Sequence, residues 1–279
     1  TVGDMYYESI MSSTAPNRVS WFSGTINPPK GSKINGTNKH MGGPTLDNRD
    51  SVGCERTDSG KPFSCVPLRW KTVPEYLQEA GISWRVYQDK DNFGDDPLVM
   101  WKQYQTSAKK KGDLAERGTS FPGLQKFFDD ARDGKLPEVS YIVAPMQLSE
   151  HPPYMPIDGA WLQGEVAKAV MHGKNWDSTA LIYSYDETGG WADHVVSPYP
   201  PQSEESEWIE DPYDKSNGIS PIGPGFRLPF YIVSPWTSGG HVFTEHAAHE
   251  SQIMFLEQWA LAHGKPFTSE EIPTWRREQ

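Results

Sequence analysis

Ala180-Leu181-Ile182-Tyr183-Ser184-Tyr185-Asp186-Glu187-Thr188-Gly189-Gly190-Trp191-Ala192-Asp193-His194 joins a near-continuous apolar run to two adjacent carboxylates and a glycine turn. Such a run reads as a buried strand, the kind found in a parallel sheet covered by helices. In open α/β sheets ligands bind beyond the carboxyl ends of strands, so Asp186 and Glu187 stand where chemistry is expected. Carboxylate oxygens bind hard divalent cations, and a strand terminus aims both side chains at one ion if the chain turns between them. Taken alone, the pair reads equally as an ordinary acidic turn, and His194 as a solvated loop histidine.

Outward from this strand, short β-rich runs alternate with amphipathic segments, the signature of an α/β fold. Val73 to Ala80 reads as a helix stopped by Gly81, and Ser83 to Tyr87 as a strand. Phe121 to Arg132 is expected to be helical, with Gly134 near its end, and Val139 to Val143 extended. Trp161 to Met171 reads as a helix, Phe230 to Val233 as a strand, and His249 to Ala262 as a helix with Ile253, Leu256 and Ala260 on its apolar face. Residues 27–66 and 197–225 lack periodicity and read as long excursions from a compact scaffold.

The 279 residues, 36% hydrophobic and 12% aromatic, suffice to bury a large core and exclude disorder. With 37 acidic against 26 basic residues the formal charge is −11, which argues against a nucleic-acid partner. No apolar run reaches the roughly 20 residues needed to span a bilayer. Cys54 and Cys65 lie in a Gly-, Ser- and Pro-rich stretch and suit a local disulfide in an oxidising compartment, with two buried thiols as the alternative. Asn35-Gly36-Thr37 is a glycosylation sequon. The chain opens at Thr1 in what reads as a strand, so an upstream leader and more is expected.

Three further clusters carry possible chemistry. Ser149-Glu150-His151-Pro152-Pro153 follows a strand, and an imidazole held by prolines can contact a phosphoryl oxygen or protonate a leaving alkoxide. Ser12-Ser13-Thr14-Ala15-Pro16-Asn17-Arg18 sets hydroxyls beside an amide and a guanidinium; alone it reads as a helix cap or turn. A Thr hydroxyl attacks phosphorus only when a metal or base lowers its pKa, so Thr14 makes sense as a nucleophile if it meets an ion at Asp186. Glu245-His246-Ala247-Ala248-His249-Glu250-Ser251 leads into the last long helix, where its histidines cap the helix or line a site.

Together these stretches resemble the phosphoesterase family that includes phosphatidylcholine-type phospholipase C and an acid phosphatase branch. The resemblance rests on Thr14 to Arg18 with Ser23-Gly24-Thr25, on Val86-Tyr87-Gln88 with Asp91-Asn92-Phe93, and on Ile142-Val143-Ala144-Pro145 followed by Ser149 to Pro152 and Asp158-Gly159-Ala160-Trp161. Tyr185 through Val195, and Gly225-Phe226-Arg227-Leu228-Pro229 through Trp236, complete the ordered matches. The resemblance implies an alkaline-phosphatase-like fold: a central, mostly parallel sheet flanked by helices, with long loops, in a single catalytic domain over residues 1–279. It further implies Thr14 as the nucleophile of a phospho-threonine intermediate, with Asn17 and His151 as catalytic groups. Asp186 and Glu187, with Thr14, would hold a divalent metal ion, and Asp193, His194 and His249 would lie beside the substrate or behind the ligands.

The expected reaction is cleavage of phospholipid to diacylglycerol and a phosphorylated head group; the alternatives are a phosphate-monoester hydrolase and an inactive truncated module. Secretion to an extracellular or periplasmic space follows from the same resemblance. Trp191, Tyr199 and Trp208 suit peripheral contact with a lipid surface or, equally, loop packing. The family normally carries an upstream Glu-Asn-Arg-Ser-Phe-Asp segment with two more metal contacts, and this chain starts after it. It also usually has Gly-Pro before the nucleophile, where Ser12-Ser13 stands here.

Overall fold

The computed structural model describes residues 1–28, 42–49, 52–56, 62–211 and 213–278. The short strand β1 (Val2–Gly3) leads into helix α1 (Thr14–Ser23). Pro16 is tolerated in the first turn, where its missing N–H costs no intrahelical bond. Ala15, Val19 and Phe22 fall on one buried face, and Gly24, left-handed at φ 80°, closes the helix with its N–H on the Ser20 carbonyl. Where the local sequence alone reads as a cap or turn, a full helix therefore stands. Strands β2 (Gly53–Arg56) and β3 (Pro62–Val66) pair antiparallel with Cys54 opposite Cys65, and a disulfide joins the two. The Asn35 sequon lies outside the described residues.

Helix α2 (Val73–Glu79) and strand β4 (Trp84–Tyr87) follow, then helices α3 (Lys102–Lys110), α4 (Asp113–Gly118) and α5 (Leu124–Asp133), and strand β5 (Val139–Ile142). A helical crossover returns a chain in the same direction, and β4 and β5 accordingly pair in parallel, Trp84 opposite Val139 and Tyr87 opposite Ile142. Helix α6 (Pro156–Met171) starts before the expected Trp161, with Pro156 at its first position, where a fixed φ suits the helix. Strands β6 (Leu181–Ser184), β7 (Trp208–Glu210), β8 (Ile219–Pro221), β9 (Phe230–Val233) and β10 (Val242–Phe243) precede helices α7 (His249–Ala262) and α8 (Thr274–Glu278).

The largest sheet has the order β10-β1-β9-β6. Within it β1 and β10 are parallel, while β9 runs antiparallel to both β1 and β6. The molecule is thus α/β, but the described strands do not form the mostly parallel central sheet that was expected. The reason lies in the connection from β6 to β9. It contains 3₁₀ turns and the β7–β8 hairpin but no α-helix among the described residues, so nothing carries the chain back to a parallel start. Tyr183 and Tyr231 face each other across β6 and β9, their rings 4.9 Å apart, and help fix that register.

Three apolar clusters support these layers. Val19 and Phe22 of α1 pack with Leu77, Trp84, Trp101, Tyr141 and Ile253. Tyr87, Phe127, Leu162 and Val166 fill the space beneath α5 and α6, and Tyr6, Leu228 and Phe230 form a smaller group at the four-stranded sheet. Helix α8 is anchored by Arg276, 3% exposed, which grips Glu207 through Nε and Nη2 at 2.8 and 2.7 Å. Its Nη1 donates to Glu250 Oε1 at 2.9 Å and to the Ser9 carbonyl at 3.0 Å.

Candidate active site

Strand β6 ends at Ser184, and two residues later the chain presents Asp186 to helix α1. Thr14 and Arg18, four residues apart, share a face of that helix, about 6 Å from each other along its axis. Arg18 donates Nε to Asp186 Oδ2 at 2.9 Å, while its Nη2 lies 3.3 Å from Asp95 Oδ2 and its Nη1 donates to the Asp95 carbonyl at 3.0 Å. Asp95 comes from the loop after β4, where Asn48 Nδ2 donates to its Oδ1 at 2.7 Å. One guanidinium therefore ties α1, the β4 loop and the end of β6 together. Burial pushes the Asp186 carboxyl up, but the Arg18 charge and hydrogen bond, with smaller help from a backbone N–H and His249, together outweigh it and hold Asp186 below the ordinary carboxylate range.

The neighbouring acids lack such compensation. Glu187 is raised by burial and then by the Asp186 charge, and its carboxylate accepts no hydrogen bond among the described residues. Glu8 lies 2% exposed, with Oε1 accepting the Phe226 N–H at 3.2 Å and Oε2 without a partner. Burial, helped by the charges of Glu187 and Asp186, pushes Glu8 up to about 8. Gly225 makes room for it, since a Cβ there would come 1.8 Å from Glu8 Oε1.

Thr14 is the first residue of α1, nearly buried, and its hydroxyl makes no hydrogen bond among the described residues. His151 is exposed, with its ring 5.3 Å from that of Phe93. A carbonyl only accepts, so the 2.8 Å contact to Pro152 O puts a proton on Nδ1 and leaves Nε2 facing away from the backbone. His151 lies within electrostatic reach of Glu187 and Asp95 and partly offsets the rise that burial imposes on each. The preceding Glu150 takes φ 66°, in the left-handed region, and is pinned there by Tyr185 Oη and Gln163 Nε2 at 2.7 and 2.8 Å.

His249, the first residue of α7, is buried and packs behind Asp186. Its Nε2 donates to the Asp186 carbonyl at 2.9 Å, its Nδ1 meets Tyr6 Oη at 2.8 Å, and its backbone N–H reaches Ser9 Oγ at 3.0 Å. Desolvation lowers its pKa and favours the neutral ring.

Three expected site residues are engaged elsewhere. Asn17 is fully buried, its Oδ1 accepting the Ile10 N–H at 2.9 Å and its Nδ2 donating to the carbonyls of Ile10, Ser12 and Ser13. It shapes the turn that delivers Thr14. Asp193 is held by both Nε and Nη2 of Arg227 at 2.6 and 3.0 Å, which keeps it well below the usual carboxylate range. His194 points into solvent beside it. Among the aromatic residues expected at a lipid surface, Trp191 and Tyr199 are exposed, whereas Trp208 is half-buried with its indole N–H on the Pro201 carbonyl.

The donor chemistry suits a hard cation. Glu187 is uncommitted, and the Asp186 oxygens, engaged by Arg18 and the Glu187 N–H, retain further lone pairs. Yet no group of three or more His, Cys, Asp and Glu side chains able to hold a metal is found among the described residues. The two carboxylates thus fit as part of a coordination sphere. Sequence reasoning missed Arg18, Asp95 and Glu8 as members of this cluster. The Thr14–Arg18 spacing is the one local signal that points to any of them, once the segment is known to be helical.

No helix of the described residues is long and apolar enough to cross a membrane. The chain is similar to the non-hemolytic phospholipase C of Burkholderia pseudomallei (strain K96243), 32% identical over 92% of this chain and 38% of that protein. Its similarity to the non-hemolytic phospholipase C of Pseudomonas aeruginosa is 37% identity over 92% of this chain and 37% of the relative. Phospholipase C B of Mycobacterium tuberculosis is 33% identical over 92% of this chain and 47% of its own length. The chain thus spans less than half the length of these relatives. With a family model matching residues 1–261, the chain belongs to the phosphoesterase family.

Proposed function

We propose that this chain carries the catalytic site of a phospholipase C-type phosphodiester hydrolase, cleaving phospholipid to diacylglycerol and a phosphorylated head group. The observation that carries this reading is the contact of Arg18 with Asp186, one helical turn from Thr14, which supports a site shared by the start of α1 and the end of β6. The similarity to phospholipases C over 92% of the chain supports the substrate class. The parallel β4–β5 pair with its helical crossover supports an alkaline-phosphatase-like arrangement within one domain.

In this reading the first turn of α1 turns its free N–H groups and positive end toward a phosphoryl group. Thr14 Oγ bonds to phosphorus as its proton passes to solvent. The bond from phosphorus to the glycerol oxygen breaks, and that oxygen takes the Nε2 proton of His151 in its imidazolium form, leaving diacylglycerol, a neutral ring that keeps its Nδ1 proton, and a phospho-threonine that still carries the head group. Water then attacks phosphorus and gives one proton to His151 Nε2; the bond from phosphorus to Thr14 Oγ breaks, Thr14 recovers its hydroxyl proton from solvent, and the phosphorylated head group departs. Asp186 and Glu187 are the residues that would hold a divalent cation, with Thr14 beside them. Bound there, such an ion supplies positive charge against the phosphoryl oxygens.

The Cys54–Cys65 disulfide supports a secreted or periplasmic location, and exposed Trp191 and Tyr199 support peripheral contact with a lipid surface. The test compares the parent and Thr14→Ala on a chromogenic phosphocholine diester and a chromogenic monoester, with chelator and with added divalent ions. Metal-dependent diester hydrolysis lost in Thr14→Ala supports the reading. Preference for the monoester replaces it with a phosphatase, and inactivity of the folded parent on both esters overturns it.

A further inference from the structure

Behind Asp186 runs a chain of hydrogen bonds whose direction is fixed at every link. Trp21 Nε1 is a donor only, so the group it meets at 3.1 Å is the Gln252 carbonyl oxygen. The Gln252 amide nitrogen therefore faces the other way and donates to Tyr6 Oη at 2.6 Å and to Ser184 Oγ at 2.8 Å. Tyr6 Oη, having accepted there, has its own proton to give, and His249 Nδ1 lies 2.8 Å away. At the far side of the ring Nε2 meets the Asp186 carbonyl, which only accepts, so Nε2 carries hydrogen. Two donors of fixed character, Trp21 at the start and the His249 Nε2–H at the end, leave one assignment for the whole relay.

The last link falls on the residue whose placement matters most. Asp186 Oδ2 is taken by Arg18, Oδ1 by the Glu187 N–H at 3.1 Å, and the carbonyl by His249. We propose that His249 is a positioning residue: its Nε2–H, oriented by Tyr6 and Gln252, fixes the Asp186–Glu187 peptide so that both carboxylates address one cation. The proposal rests on the reading of those carboxylates as cation ligands. It goes further in giving His249 no contact with substrate or metal, and in assigning Tyr6 and Gln252 to the same task.

Two substitutions separate positioning from bulk packing. His249→Gln extends an amide nitrogen to the position of Nε2 and keeps a donor for the Asp186 carbonyl. His249→Asn ends near Nδ1, keeps a polar contact for Tyr6, and loses that donor. Tyr6→Phe is a third variant that leaves the His249 ring in place and removes the hydroxyl, both the proton that sets the ring's tautomer and the acceptor for Gln252.

Two readouts are taken on the full chain: Mn²⁺ affinity by calorimetry without substrate, and peptide-resolved hydrogen exchange over residues 184–190 in chelator. Outer partners of metal ligands typically change affinity by about 10- to 100-fold, and that loss is expected for His249→Asn with faster exchange of the segment. His249→Gln is expected within about threefold of the parent in both, and Tyr6→Phe between the two. Equal exchange in the Asn and Gln variants overturns the positioning role, as does parental behaviour of His249→Asn. If Asp186→Asn leaves Mn²⁺ binding unchanged, the cation reading itself fails, while the exchange comparison still decides whether His249 fixes the turn.

Discussion

Arg18 and Asp186 stand 168 residues apart in the chain and meet at 2.9 Å, with Asp95 closing the other side of the same guanidinium. Removing the cation leaves two largely buried carboxylates uncompensated. Arg18→Met is therefore expected to lower stability by about 3 kcal/mol, and Arg18→Lys by less, since a single ammonium keeps the charge without the fork. Urea unfolding of the three proteins measures the difference; equal midpoints would show that Asp95 and Asp186 do not depend on Arg18.

Thr14 has the opposite character, because its hydroxyl makes no hydrogen bond among the described residues. Thr14→Ala is expected to unfold within about 0.5 kcal/mol of the parent while losing activity by about 10³-fold or more. Thr14→Ser keeps a hydroxyl and should retain measurable turnover. A Thr14→Ala protein as active as the parent would remove Thr14 from the mechanism.

Glu8 makes stability depend on pH in a defined direction. Its folded pKa of about 8 lies above the ordinary 4.5, so its contribution is fully present below pH 4.5 and is lost as pH rises toward 8. In that window the unfolded chain has given up the proton that the folded chain still keeps. Glu8→Gln removes this loss, so its melting temperature should fall less than the parent's between those pH values. Parallel melting curves for the two proteins across the window would contradict the assignment.

The disulfide links strands β2 and β3 across 11 residues of chain. A loop of that size gives an entropic stabilisation of at most about 3 kcal/mol. Changing both Cys54 and Cys65 to Ser should lower stability by no more than this and leave hydrogen exchange over 184–190 unchanged, because among the described residues the hairpin makes no hydrogen bond or ion pair with Arg18, Asp95, Asp186 or Glu187.

The parts of this architecture that the sequence reveals are those written in neighbouring residues. Leu181 to Tyr185 followed by two acids is a local pattern, and it identifies both β6 and its place at a candidate site. The amphipathic run that becomes α7 is equally local. Helix α1 is hidden because Ser12-Ser13-Thr14-Ala15-Pro16 satisfies the rules for a turn, and only the burial of Ala15, Val19 and Phe22 decides for a helix. Asp193 beside His194 suggests a site, but Arg227, 34 residues on, takes that carboxylate. The same limit applies to His249, whose partners Tyr6 and Asp186 lie 243 and 63 residues away. The direction of β9 depends on the long connection before it, which has no period to read.

Arg276 makes helix α8 a clasp for the segment around Ser9. Its guanidinium is shared between Glu207 and Glu250 and holds the Ser9 carbonyl, and Ser9 Oγ in turn accepts the N–H of the first residue of α7. Removing that guanidinium would strip the shared counter-charge from two interior acids and slacken the support behind His249. A change confined to α8 would thus reach His249 through Ser9 and Glu250.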